Sequence, residues 1–230
     1  MDLHVLSAGA AQGVVEALAV RLREERGAGV HGTFGAVGAM RAKLDSGAPC
    51  DLVILTAAQI AELEGLGRIA CGEHAPLGRV RTGVAVRDGE AVPDVATPQA
   101  LRAALVAARD LYIPDPRLAT AGVHIAGVLE RLGIAEALAP RLRAYPNGST
   151  AMRELARSTG GGQLGCTQVT EIRYTRGVTL AGVLPPPYEL ATVYTAAVCA
   201  AAREPALARD FLSLLAAPES QALRAARGFE

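Results

Sequence analysis

Three short stretches place hydroxyl and amide side chains where the pattern predicts helix starts: Thr120-Ala121-Gly122, Asn147-Gly148-Ser149-Thr150 and Thr167-Gln168. Each follows a run that reads as a strand: Leu111-Tyr112-Ile113, Arg141 to Tyr145, and Leu164-Gly165-Cys166. The first amides of a helix have no partner within it, and the aligned peptide dipoles favour negative charge there. Thr, Ser, Asn and Gln add neutral donors, so the chemistry on offer is recognition of a small anion. Two further corners, Ala8-Gly9-Ala10 and Ala36-Val37-Gly38, offer only backbone amides and methyl groups. Arg81, with Arg79, lies on a strand that ends at Asp88-Gly89, where one guanidinium has the geometry to clamp a carboxylate in a bidentate way. Alternation puts both arginines on one side of that strand, which equally describes a solvated face.

Catalysis has thinner support in the residue pattern. Asp115, Glu171 and Cys166 are the candidate proton acceptors, and none has a partner histidine tied to it by local sequence. Ser7 lacks the Gly-x-Ser-x-Gly setting of a hydrolase nucleophile. His4, His31, His74 and His124 are scattered without HxH or HxxxH spacing, so no metal site and no cofactor is expected. Cys50, Cys71, Cys166 and Cys199 have no close pairing in sequence and read as buried free thiols, which leans towards a reducing compartment.

The elements that must hold these corners follow a repeating order. Leu3 to Leu6 is a strand. A helix with Val14, Val15, Leu18 and Leu22 on one face ends at Gly27, and Val30 to Thr33 is a second strand. The stretch Gly32 to Thr56 then gives a Gly-rich turn at Gly35 to Gly38, a helix from Ala39 to Leu44, and the apolar strand Leu52-Val53-Ile54-Leu55. Ala57 to Leu66 is helical, Gly78 to Arg87 is a longer strand, and Thr97-Pro98 caps and opens a helix running to Ala108. Val178 to Leu184 and Thr192 to Ala200 are strands, and two helices close the chain. Alternating β and α elements predict an α/β protein with helices over a mainly parallel sheet.

Composition sets outer bounds. The 230 residues are 50% apolar and 3% aromatic, with 23 basic and 23 acidic side chains, enough for a real core. A neutral chain without a basic block argues against nucleic acid as partner. No apolar run reaches membrane-span length, so no direct membrane insertion is expected. The chain enters its first strand at Met1-Asp2-Leu3 with no leader pattern before it. A native start there implies the cytoplasm, and a leader already removed implies the periplasm.

This order of motifs resembles the molybdate-binding and related solute-binding proteins of ABC transporters. The residues that carry it are Val5-Leu6-Ser7-Ala8-Gly9-Ala10, Phe34 to Met40, Leu44-Asp45-Ser46-Gly47-Ala48-Pro49-Cys50-Asp51-Leu52-Val53-Ile54, Asp115-Pro116 with Thr120-Ala121-Gly122, and Gly165 to Val169. The resemblance implies the class II periplasmic-binding-protein fold: two Rossmann-like α/β lobes on a two-strand hinge, with a ligand cleft between them. Residues 1–80 plus 196–230 would form one lobe and 81–195 the other. It also implies a monomer that closes on a small anionic ligand and works with ABC-transporter membrane subunits. In molybdate binders, hydroxyls from the first two helix-start loops and a tyrosine near a later corner hold the oxyanion. Ala10, Val37 or Gly38, and Thr167 stand at those places here. A buried dianion without donors costs several kcal/mol, so an organic carboxylate is the expected ligand. An isomerase of a small carboxylic acid, or a ligand sensor, on the same scaffold is the alternative.

Overall fold

The computed structural model describes residues 2–230. In chain order its elements are β1 (Asp2–Ala8), α1 (Gln12–Arg26), β2 (Gly29–Gly35), α2 (Val37–Asp45), β3 (Leu52–Thr56), α3 (Ala57–Gly65) and β4 (Ile69–Arg87). They continue with α4 (Pro98–Ala107), β5 (Leu111–Pro114), α5 (Thr120–Arg131), α6 (Ala135–Leu138), β6 (Leu142–Tyr145), α7 (Gly148–Arg157) and β7 (Leu164–Gln168). The last are α8 (Val169–Tyr174), β8 (Val178–Val183), β9 (Ala191–Cys199), α9 (Pro205–Ala216) and α10 (Gln221–Ala226). The residues group into two compact units: unit 1 is Met1–Val80 with Thr192–Glu230, and unit 2 is Arg81–Ala191.

In unit 1 the strands run β2-β1-β3-β9-β4. β1 pairs parallel with β2 and β3, whereas β9 pairs antiparallel with β3, Leu52 opposite Val198. Leu52, Val53, Ile54 and Leu55 are fully buried. A central strand covered on both faces needs this unbroken apolar run, and each such side chain contributes about 1.5–3 kcal/mol. Val14, Val15, Leu18 and Leu22 of α1 pack into the same core. That helix stops at Gly27, whose φ of 67° lets its amide reach back to the Arg23 carbonyl at 2.8 Å. The Gly-rich turn expected at Gly35 to Gly38 is tighter than its composition implies: β2 includes Gly35, α2 begins at Val37, and Ala36 alone joins them.

Asp51, in the segment that carried the resemblance, is a structural knot. It is 1% exposed, and its carboxylate accepts from the amides of His4 (2.8 Å), Arg203 (2.7 Å) and Glu204 (3.1 Å). It thereby joins β1 to the approach of α9. Burial pushes its carboxyl up, but the three amides, with His4 nearby, hold it below the ordinary value. Its stabilising contribution is therefore present above the unfolded value of 3.8 and is lost as pH falls through the lower folded one. Asp51→Asn leaves one acceptor oxygen for three donors. Denaturant unfolding at neutral pH is expected to show a loss of about 1–3 kcal/mol, and an unchanged midpoint would remove the knot from the account.

In unit 2 the strands run β4-β7-β5-β6, with β8 also on β4. β5 is parallel to β6 and β7, and β4 is antiparallel to β7 and β8. Alternation along β4 sends Val84 and Val86 to a core with Leu101, Leu105, Ile113 and Ile125, and Ala85 to a second one with Met152, Leu155 and Ile172. α4 begins as its sequence predicts, with Thr97 accepting from the Ala100 amide and Pro98 in the first turn. Among the described residues no helix is long and apolar enough to cross a membrane.

Candidate functional site

In unit 2, β5 leads to α5 through residues 115–119, β6 leads to α7 through residues 146–147, and β7 runs directly into α8. These are the three corners where the sequence places donors. Around the second and third of them lies a group of buried polar side chains with two different roles.

Glu171 is 6% exposed, at the third position of α8. Its carboxylate faces the amides of Gly148 and Ser149 at the start of α7 and of Gln168 at the cap of α8, and takes the Thr167 hydroxyl at 2.5 Å. The reach from third helical position to cap amide is one half of a capping box. Burial raises the Glu171 carboxyl above its ordinary value, opposed by the Thr167 hydroxyl and those amides. Gly148 is glycine for this contact: a Cβ there would stand 2.0 Å from both Glu171 Oε2 and Thr167 Oγ1.

Glu171 changes what the second corner can do for a ligand. The first amides of α7, expected to be open to an anion, are used inside the protein. Asn147 is likewise a cap, its Oδ1 accepting from the Thr150 amide at 2.8 Å, and Thr150 Oγ1 accepts from Arg153 at 2.9 Å. Thr167 is committed to Glu171.

The second group has no partners. Ser149 Oγ, both Nε2 and Oε1 of Gln168, Thr82 Oγ1 and Thr170 Oγ1 are buried with no hydrogen bond. Thr82 and Gln168 stand directly opposite each other in the β4–β7 ladder, so their side chains lie on one face. Native proteins pair nearly all such atoms, and an orphan costs about 1–3 kcal/mol. Thr82 and Thr170 were not anticipated from sequence. Only the register of β4 against β7 brings Thr82 to Gln168.

At the first corner, α5 starts with Thr120 after Ala119, which makes no side-chain cap. Thr120 is half-buried, and Ala121 and Gly122 are buried. Asp115 closes the preceding loop by accepting from the amides of Arg117 (2.7 Å) and Leu118 (3.1 Å) through Oδ1. Arg81 is exposed at the point where β4 enters unit 2. In unit 1, Ala8, Gly9 and Ala10 form the end of β1 and a 3₁₀ turn, all buried. Ala36 and Val37 are buried and Gly38 half-buried at the start of α2. Neither corner carries a side-chain donor.

Of the candidate proton acceptors, Cys166 is buried in an apolar core, which pushes its thiol up to about 12 and keeps it inert. Glu171 is saturated with donors. Among the described residues no group of His, Cys, Asp and Glu is arranged to hold a metal ion.

Comparison with known proteins places the chain in a family. Residues 3–230 match the bacterial extracellular solute-binding protein family, and the chain belongs to it. Its fold is that of the class II periplasmic binding proteins. The periplasmic molybdate-binding protein of Azotobacter vinelandii superimposes with a TM-score of 0.81 at 23% identity, over 99% of this chain and 98% of that one. The sulfate-binding protein of Mycobacterium tuberculosis does so with a TM-score of 0.70 at 19% identity, over 100% of this chain and 86% of that one. Both likenesses concern the fold alone. In sequence, the chain is 25% identical over 229 residues to an aconitate isomerase from a Pseudomonas species, covering 95% of this chain and 83% of that protein.

Proposed function

We propose that the protein binds a small organic carboxylate and hands it to ABC-transporter membrane subunits. The observation that carries the choice of ligand is Gln168, whose buried amide lacks a partner for its donor nitrogen and for its acceptor oxygen alike. A fully deprotonated oxyanion brings acceptors only and leaves Oε1 unpaired. A hydroxy acid or a carboxylic acid with a second polar group brings both. Ser149, Thr82 and Thr170, each able to donate or accept, suit the same ligand. Within unit 2, Thr120 to Gly122 add one hydroxyl at the start of α5.

Gln168→Met separates a binding role from a structural one. Removing two orphan polar atoms while keeping side-chain length is expected to leave the ligand-free melting temperature unchanged or raised. Affinity for a hydroxy-di- or tricarboxylate is expected to fall about tenfold or more, the equivalent of one lost hydrogen bond of ~1.4 kcal/mol. A lower melting temperature with unchanged affinity would assign Gln168 to the fold instead.

The likeness to an aconitate isomerase supports a second reading, in which the chain moves a proton within such an acid. Asp115 is then the proton acceptor, since Glu171 is saturated and Cys166 inert. Incubation with aconitate in heavy water is expected to place deuterium on carbon, and Asp115→Asn to abolish this while binding persists. Binding with no exchange in the unaltered protein would leave transport alone.

A further inference from the structure

Cys50 and Cys199, 149 residues apart in sequence, come together in unit 1 with their sulfurs 3.5 Å apart. Cys50 immediately precedes Asp51 and β3, and Cys199 ends β9. The Cys199 amide donates to the Asp51 carbonyl at 2.9 Å, which fixes the two backbones beside each other. The pair lines a cavity of about 240 Å³ together with His4, Pro49, Arg68 and Arg203. Cys50 is half-buried there and Cys199 only 4% exposed.

We propose that this pair is a reactive dithiol that reduces a small organic disulfide and closes to an intramolecular Cys50–Cys199 disulfide. Bond formation needs the sulfurs to approach from 3.5 Å to about 2.05 Å. The Cys199 thiol donates its hydrogen bond to the Cys50 sulfur, which favours thiolate on Cys50 and keeps the proton on Cys199. Cys50 is therefore the attacking sulfur, and it is also the more exposed of the two. In the first step a Cys50–reagent bond forms as the reagent's own S–S bond breaks and half of it leaves as a thiolate. In the second, the Cys199 sulfur attacks Cys50, the new protein disulfide forms, and the other half of the reagent leaves. The protein loses two electrons, the reagent gains them, and the two thiol protons end on the two released thiols. Arg68 and Arg203 at the cavity favour a disulfide bearing carboxylates.

The remaining cysteines are internal controls: Cys71 is exposed on β4 with no thiol to resolve it, and Cys166 is inert. The full-length protein is incubated with oxidised glutathione, then alkylated and mapped by mass spectrometry without reduction. The expected product is a peptide joining Cys50 to Cys199, with glutathione retained on Cys71 alone and a raised melting temperature from closing so long a loop. Cys199→Ser is expected to accumulate glutathione on Cys50, and Cys50→Ser to leave Cys199 free. Cys50 and Cys199 both alkylated while Cys71 carries glutathione would overturn the proposal, as would glutathione persisting on Cys50 of the unaltered protein. The wild-type map decides the matter even if a variant misfolds, and either result leaves the reading of the ligand site untouched.

Discussion

Replacing Glu171 by alanine is expected to cost about 3–5 kcal/mol, because it strands the Thr167 hydroxyl and the amides of Gly148, Ser149 and Gln168, at ~1–3 kcal/mol for each donor that water does not reach. Those donors belong to the starts of α7 and α8, so the loss is local to unit 2. Hydrogen exchange reads this directly: the amides of α7 and α8 should lose protection while those of β1 and β3 keep it. The pH dependence follows from the raised carboxyl. Its folded value lies above the ordinary 4.5, so the folded state holds the proton more tightly than the unfolded one. Its stabilising effect is complete below 4.5 and is lost as pH rises through the higher folded value. Glu171→Gln imitates the neutral acid and can donate to Thr167. It is expected to cost about 1 kcal/mol and to flatten that part of the stability profile. A Glu171→Ala protein within about 1 kcal/mol of wild type would show that the carboxylate holds nothing together.

Gly122→Ala is expected to destabilise unit 2 by about 3 kcal/mol, at the upper end of overpacking costs. A Cβ at Gly122 would lie 2.2 Å from the Asp115 carbonyl oxygen and 2.5 Å from that of Pro114. Both obstacles are backbone, and the Asp115 carbonyl also takes the Ala119 amide at 3.1 Å. Relief requires α5 to move off the end of β5, carrying Thr120 with it, so ligand affinity should fall as well. Gly127 on the same helix is the control. Nothing lies within 4 Å of a Cβ there, and Gly127→Ala should be neutral or stabilising by up to ~1 kcal/mol. Thermal unfolding of the two variants side by side measures the difference; equal melting temperatures would refute the close approach of α5 to β5.

How much of this was legible in the sequence depended on the range of the interaction concerned. Local signals carried well: the apolar run Leu52–Leu55, the Gly27 stop of α1 and the Thr97 cap of α4 each act within a few residues, and each appears as expected. The first half of β4 was not anticipated. Ile69 to Leu77 mixes Cys, Gly, His and Pro, so its residue types show no apolar–polar alternation that a strand template detects, although its burial alternates from Gly72 to Leu77. Thr120, Asn147 to Thr150 and Thr167-Gln168 stand at helix starts, as turn chemistry marks them in the sequence. Their division of labour was not legible there. Glu171 consumes the amides of a different helix, Thr82 meets Gln168 only through strand register, and Cys50 meets Cys199 across 149 residues. Such pairings are products of topology, which a single sequence does not display.

Calorimetric titration of the purified protein, with one series of di- and tricarboxylates including hydroxy acids and aconitate and another of molybdate and sulfate, bears most directly on the proposed ligand. Saturable heat with a carboxylate and little with the oxyanions is expected, with a stability gain of about 2.7 kcal/mol at a hundredfold excess over Kd. Molybdate or sulfate binding more tightly than every carboxylate would contradict the proposed function.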